Sequence, residues 1–123
     1  MIHLDTNFLI QALVPNSAEA SRLQKWLNSG EEVGISSISW SEFLCGPLAS
    51  ADKELAQVFF PTPEPFLALD AYQAAELFNA TGRRSRSLAD CQIAAVALRC
   101  DARLATSNMS DFTHFQNLGL TLA

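Results

Sequence analysis

Short apolar runs of strand length alternate with stretches of helical period along the whole of this 123-residue chain. A strand that returns parallel to its predecessor needs a crossover, usually a helix. The alternation therefore implies right-handed βαβ units and a parallel sheet covered on both faces. Ile2 to Asp5, Val33 to Ser36, Phe66 to Leu69, Arg103 to Thr106 and Leu118 to Leu122 read as strands. Helices are expected from Thr6 to Leu13, ending before Pro15, and from about Ser17 to Ser29, opened by Asn16 with Glu19. A third opens at Ser39 with Glu42 in its first turn and stops near Gly46-Pro47, and a fourth carries Ala51, Leu55, Val58 and Phe59 on one face. A fifth runs from Asp70 and Gln73 to Gly82, a sixth from Leu88 to Leu98, and Asp111 to Phe115 should form a helical turn. The expectation is a single α/β domain over residues 1–123, with a central parallel sheet of four to five strands between layers of helices.

Composition narrows the function classes. At 49% apolar and 17% charged, the chain is too apolar for disorder, and no apolar run is long enough to span a bilayer. Its start reaches a charge at Asp5 without a basic segment, unlike a signal peptide, so a cytoplasmic protein is expected. Cys45, Cys91 and Cys100 are odd in number and lack CxxC spacing, which argues against a disulfide framework or a zinc site and for small buried apolar roles. A net charge of −5 argues against broad non-specific binding to nucleic acid. A polyanion remains compatible if basic residues cluster or metal ions supply positive charge. Arg83, Arg84 and Arg86 do cluster, beside Asp90, either as a solvated loop or as such a contact.

The chemistry rests on acids at element boundaries. Asp5 ends an apolar strand, Glu42 and Asp90 open helices, and Asn108 and Asp111 follow the fourth strand. In open α/β sheets such positions gather outside the carboxyl ends of the strands, where ligands bind. If Asp5, Glu42, Asp90 and Asp111 converge, they offer hard oxygen ligands for Mg²⁺ or Mn²⁺. Two carboxylates ~5 Å apart repel by roughly 3 kcal/mol at an effective dielectric of ~20, so such a group holds either a proton or a cation. A metal there would activate water and neutralise a leaving oxyanion, as phosphodiester hydrolysis requires. Each acid also has a structural reading. Glu42 stands three residues after Ser39, and Asp90 three after Ser87, so both could complete helix caps. Asp5 resists that reading, because a carboxylate ending an apolar strand is costly without a partner; Arg86 is one possible counter-ion. Asn7, Thr106, Ser107 and Asn108 could bond ligand or water, or serve turns and caps, the latter favoured for Thr106. His3, Trp26 and Trp40 read as packing residues.

The segments LDTNFLI, SWSEFLCG, SLADCQIAAVAL and LATSNMSDF, in this order and spacing, resemble the PIN-domain ribonucleases, most closely the VapC-type toxins of toxin–antitoxin pairs. The resemblance covers nearly the whole chain and implies a PIN-like three-layer fold. It implies a Mg²⁺- or Mn²⁺-dependent endoribonuclease leaving 5′-phosphate and 3′-hydroxyl ends, and a homodimer neutralised by a cognate antitoxin. Asp5, Glu42 and Asp90 match the three central acids. Asn108 stands where the family often has aspartate, with Asp111 three residues on as in many toxin members, and Ser107 stands where arginine is common. On this basis Asp5 and Asp90 hold the principal metal, Glu42 binds through water or orients the attacking water, and Asn108 and Asp111 complete the shell. Arg83, Arg84 and Arg86 would contact RNA or an acidic part of the antitoxin. Two other readings compete: a catalytically inactive PIN-like module docking a basic protein partner, and a phosphotransfer domain. The second requires a lysine near the site, whereas Lys25 and Lys53 both fall in early helices. No GxxxxGK[ST] or GxGxxG run supports a nucleotide cofactor.

Overall fold

The computed structural model describes all 123 residues. Its centre is β1 (Ile2–Leu4), flanked by β2 (Val33–Ile35) and β3 (Arg103–Ala105) in the order β2-β1-β3, all parallel. Leu4 is in register with Ile35 on one side and Ala105 on the other, so the three strands end together. Period-two alternation then sorts the faces. Ile2, Leu4, Ile35 and Ala105 enter one core with Phe8 and Leu9 of α1 (Thr6–Ala12), Phe43 of α3 (Ser37–Cys45) and Ala56 of α4 (Ser50–Phe59). Trp26 of α2 (Ala18–Asn28) stacks on Phe8 at 5.6 Å, and Trp40 on Phe43 at 5.3 Å, closing that core from its rim. Leu104 faces the other way, toward α5 (Ala68–Ala80) and α6 (Leu88–Arg99). Six residues of α6 are buried, including Ile93 to Ala97 in one run, as its nearly uninterrupted apolar sequence predicts. His3 also lies on this second face, 3% exposed, with no partner for its Nδ1.

The sheet has three strands, not four or five. The strand expected over Phe66 to Leu69 is absent: Pro63 and Pro65, just before it, supply no N–H to a ladder. Only Glu64, between them, bridges to Ser36. Asp70 then accepts the Leu67 N–H at 2.8 Å and draws the start of α5 back to Ala68. The strand expected over Leu118 to Leu122 is reduced to one bridge between Leu122 and Leu104. A 3₁₀ helix holds Thr113–Leu118 up to Gly119, whose φ of 106° leaves few residues to pair. A second 3₁₀ turn, Met109–Asp111, precedes it, so the expected helical turn is split in two.

Three local expectations also change. The cap of α2 is Ser17, not Asn16, and its Oγ accepts the Ala20 N–H at 3.0 Å. The cap of α3 is Ser36, not Ser39, which leaves Glu42 beyond the first turn. In α4 the buried residue is Ala56, and the stripe of Leu55, Val58 and Phe59 faces outward, while Phe60 turns into the core. Of the cysteines, Cys91 is buried, Cys100 is half-buried and Cys45 is exposed, all as free thiols. No helix is long and apolar enough to cross a membrane.

Candidate metal centre and adjoining groove

Because the strands are parallel and in register, everything leaving their carboxyl ends meets at one edge. Asp5 leaves β1 there and caps α1, its Oδ1 accepting the Phe8 N–H at 2.7 Å. It is only 3% exposed. Glu42 comes from α3, Asp90 from the first turn of α6, and Asp111 from the turn after β3. These four carboxylates line one cleft of about 100 Å³ with Thr6, Asn7, Ile93 and Phe112.

None of the four has a cation. The ion pairs of the molecule involve Glu31, Glu64 and Asp70 instead. Nor do caps account for the two helix acids. Ser36 caps α3, and Ser87 donates its hydroxyl to the Arg84 carbonyl at 2.7 Å rather than capping α6. The electrostatic consequence falls on the two more buried acids, Asp5 and Asp90. Burial raises the Asp5 pKa, with the charges of Glu42 and Asp111 adding to it, against hydrogen bonding from Thr106 and Phe8. Asp90 is pushed up to about 7, first by burial and then by Asp111, Glu42 and Asp5. Arg86 forms no ion pair and does not relieve either acid.

The donor set fits a hard divalent cation. It is all oxygen, uncompensated, and open to solvent at Glu42 and Asp111. No three of these side chains form a closed cage around one point. Mg²⁺ does not require one, since it keeps several waters and takes one or two carboxylates.

Thr6 is a site residue that the sequence reading passed over. Its hydroxyl lies 2.8 Å from Glu42 Oε1 and 3.2 Å from the Ser39 carbonyl, tying α1 to α3 and setting the Glu42 side chain. Its position directly after Asp5 was the available signal. Asn108 lines neither the cleft nor the groove beside it; its backbone N–H donates to Thr106 Oγ1 at 3.0 Å, a turn contact. Asp111 is the residue after β3 that reaches the cleft.

A larger groove of about 810 Å³ opens beside the cleft and shares Asp90 and Asp111 with it. Arg84, Arg86 and His114 line it, whereas Arg83 does not. Arg83 has a φ of 56° and donates its backbone N–H to the Phe78 carbonyl at 3.1 Å, just past the end of α5. His114 had no distinguishing sequence signal.

Known proteins place this architecture. The PIN domain family matches residues 2–117. Among solved structures, VapBC2 from Rickettsia felis, bound to a promoter DNA fragment, has a chain with TM-score 0.76 and 22% identity, covering 100% of this chain and 98% of that one. FitAcB from Neisseria gonorrhoeae gives 0.71 and 24%, covering 99% and 96%. VapBC-1 from nontypeable Haemophilus influenzae gives 0.71 and 19%, covering 100% and 97%. At these identities the structures speak for the fold alone. A search of curated proteins finds no match. With a family match over almost its full length and a parallel sheet that delivers acids to one edge, the chain belongs to the PIN domain family.

Proposed function

We propose that this chain is a Mg²⁺- or Mn²⁺-dependent endoribonuclease, the toxin of a type II toxin–antitoxin pair. The observation that carries the reading is the convergence of Asp5, Glu42, Asp90 and Asp111 from four separate elements with no cation among them. Four mutually repelling carboxylates gathered without a basic side chain cost stability, and a divalent cation would offset that cost. The toxin assignment draws on the sequence resemblance to VapC-type toxins and on a structural relative from Klebsiella pneumoniae described as a toxin–antitoxin complex. A cognate antitoxin and a homodimer are part of the same proposal.

Asp5 and Asp90 are the residues that would hold the cation. That ion would polarise water and offset the charge of the leaving oxygen. Asp5 is pre-set by the Phe8 N–H, so its carboxylate keeps one orientation. Glu42 is held by Thr6 through Oε1, which leaves its other oxygen to orient the attacking water. Asp111, at the junction of cleft and groove, completes the acidic wall. The inactive docking module loses its main support, because Asp111 supplies a fourth carboxylate that Asn108 does not.

End-group analysis tests the reading. Cleavage of RNA by the purified chain in Mg²⁺ should leave 5′-phosphate and 3′-hydroxyl ends. Products ending in a 2′,3′-cyclic phosphate would instead implicate attack by the neighbouring ribose hydroxyl and contradict water activation in the acidic cleft.

A further inference from the structure

The groove beside the cleft has a composition of its own. Arg84, Arg86 and His114 share it with the hydroxyls of Thr81, Ser87 and Ser110, and only Ala80 and Leu118 are apolar. Neither arginine is in an ion pair, although the chain carries a net charge of −5. The loop presenting them is ordered by its own bonds: the Arg84 carbonyl accepts the Ser87 N–H at 2.9 Å and the Ser87 hydroxyl at 2.7 Å. His114 is held from beneath by Phe115, with ring centroids 4.2 Å apart.

We infer that Arg84, Arg86 and His114 form one wall of a channel for the RNA backbone leading into the acidic cleft. Each arginine holds a phosphate, and His114 donates a ring N–H to the strand. The inference rests on the nuclease reading and names the residues that seat its substrate. A phosphodiester strand with one phosphate in the cleft must lay the next ones along a surface continuous with it, and Asp90 and Asp111 provide that continuity. An acidic protein segment would gain nothing from that continuity, because it carries no phosphodiester to present to a cation held in the cleft. The scarcity of apolar lining also disfavours a protein anchor, since interface hot spots fill desolvated pockets with aromatic and other large side chains.

Binding of a short, fluorescein-labelled, mixed-sequence single-stranded RNA tests this, using full-length protein carrying Asp5→Asn so that the probe survives in Mg²⁺. Arg84→Ala with Arg86→Ala should weaken binding by about tenfold or more, because two charge-assisted contacts are lost. It should also flatten the slope of log affinity against log salt by about 1.4. His114→Ala should weaken binding by roughly two- to tenfold, the worth of one hydrogen bond. Unaltered thermal unfolding of these exposed-site variants would confirm that the fold is intact. If the double variant binds RNA as tightly and with the same slope while the unsubstituted chain cuts RNA, the channel is wrong and the nuclease reading stands. A chain that neither cuts nor binds RNA would overturn both.

Discussion

Two buried aspartates divide the labour of this molecule between them. Asp70, 1% exposed, accepts Arg99 Nε at 2.9 and 3.1 Å and the Leu67 N–H at 2.8 Å; the same guanidinium reaches Glu64 and the Pro65 carbonyl. It is fully paired and structural. Asp70→Ala should cost about 2–4 kcal/mol in urea unfolding, because Arg99 loses the buried one of its two carboxylates and α5 loses its N-terminal bond. Asp5, equally buried, has no cation, and Asp90 is pushed up to about 7. The sign of its contribution follows from linkage. A carboxyl whose folded pKa lies above its unfolded value of 3.8 binds its proton more tightly when folded. Metal-free protein should therefore be most stable, with respect to this group, below about pH 4, and lose that stability as pH rises toward 7. In EDTA at pH 8, Asp90→Asn should raise stability by about 1–2 kcal/mol once the shift is discounted for solvent around a half-buried group. A melting temperature that falls instead would mean Asp90 is paired. Both Asp5 and Asp70 stand just after an apolar stretch; what the sequence did not reveal is the ion pair of Asp70, because Arg99 lies 29 residues away in the chain.

At the scale of elements, what was legible depended on whether local chemistry or a distant partner decided the outcome. The strands at Ile2, Val33 and Arg103 and the buried helix from Leu88 follow from their own periodicity. The segment Phe66 to Leu69 had the apolarity of a strand, but Pro63, Pro65 and the pull of Asp70 on Leu67 decided otherwise. The start of α3 turned on a competition between two serines. Ser36 won because it directly follows β2, and its Oγ takes the Ser39 N–H at 3.1 Å within the core. That outcome frees Glu42 from a capping role and leaves it to Thr6. Ser36→Ala should therefore cost about 1–2 kcal/mol, measured by urea unfolding, through the lost cap and a buried N–H left unpaired. A cost near zero would show that α3 is fixed from its other end.

For the whole molecule, the meeting of Asp5, Glu42, Asp90 and Asp111 in one cleft was readable because a parallel sheet gathers its strand ends at one edge, whatever the details of the loops. The groove was not readable, since it joins Arg84 and Arg86 to His114 across α6 and β3. The outward turn of α4 leaves Leu55, Val58 and Phe59 at 47%, 78% and 48% exposure. If this stripe forms the proposed homodimer, light scattering should give twice the 13.4 kDa chain mass, and Val58→Asp with Phe59→Asp should return one chain. The central claim remains the acidic cleft. It is tested most directly by cleavage of a mixed pool of structured RNAs in Mg²⁺, Mn²⁺ or EDTA, comparing the unsubstituted chain with Asp5→Asn. Asparagine keeps the acceptor that caps α1, so folding should persist while the charge is lost. Cutting that requires both the metal and Asp5 is the predicted result. Equal cutting by the Asp5→Asn protein, or cutting undiminished in EDTA, would contradict it.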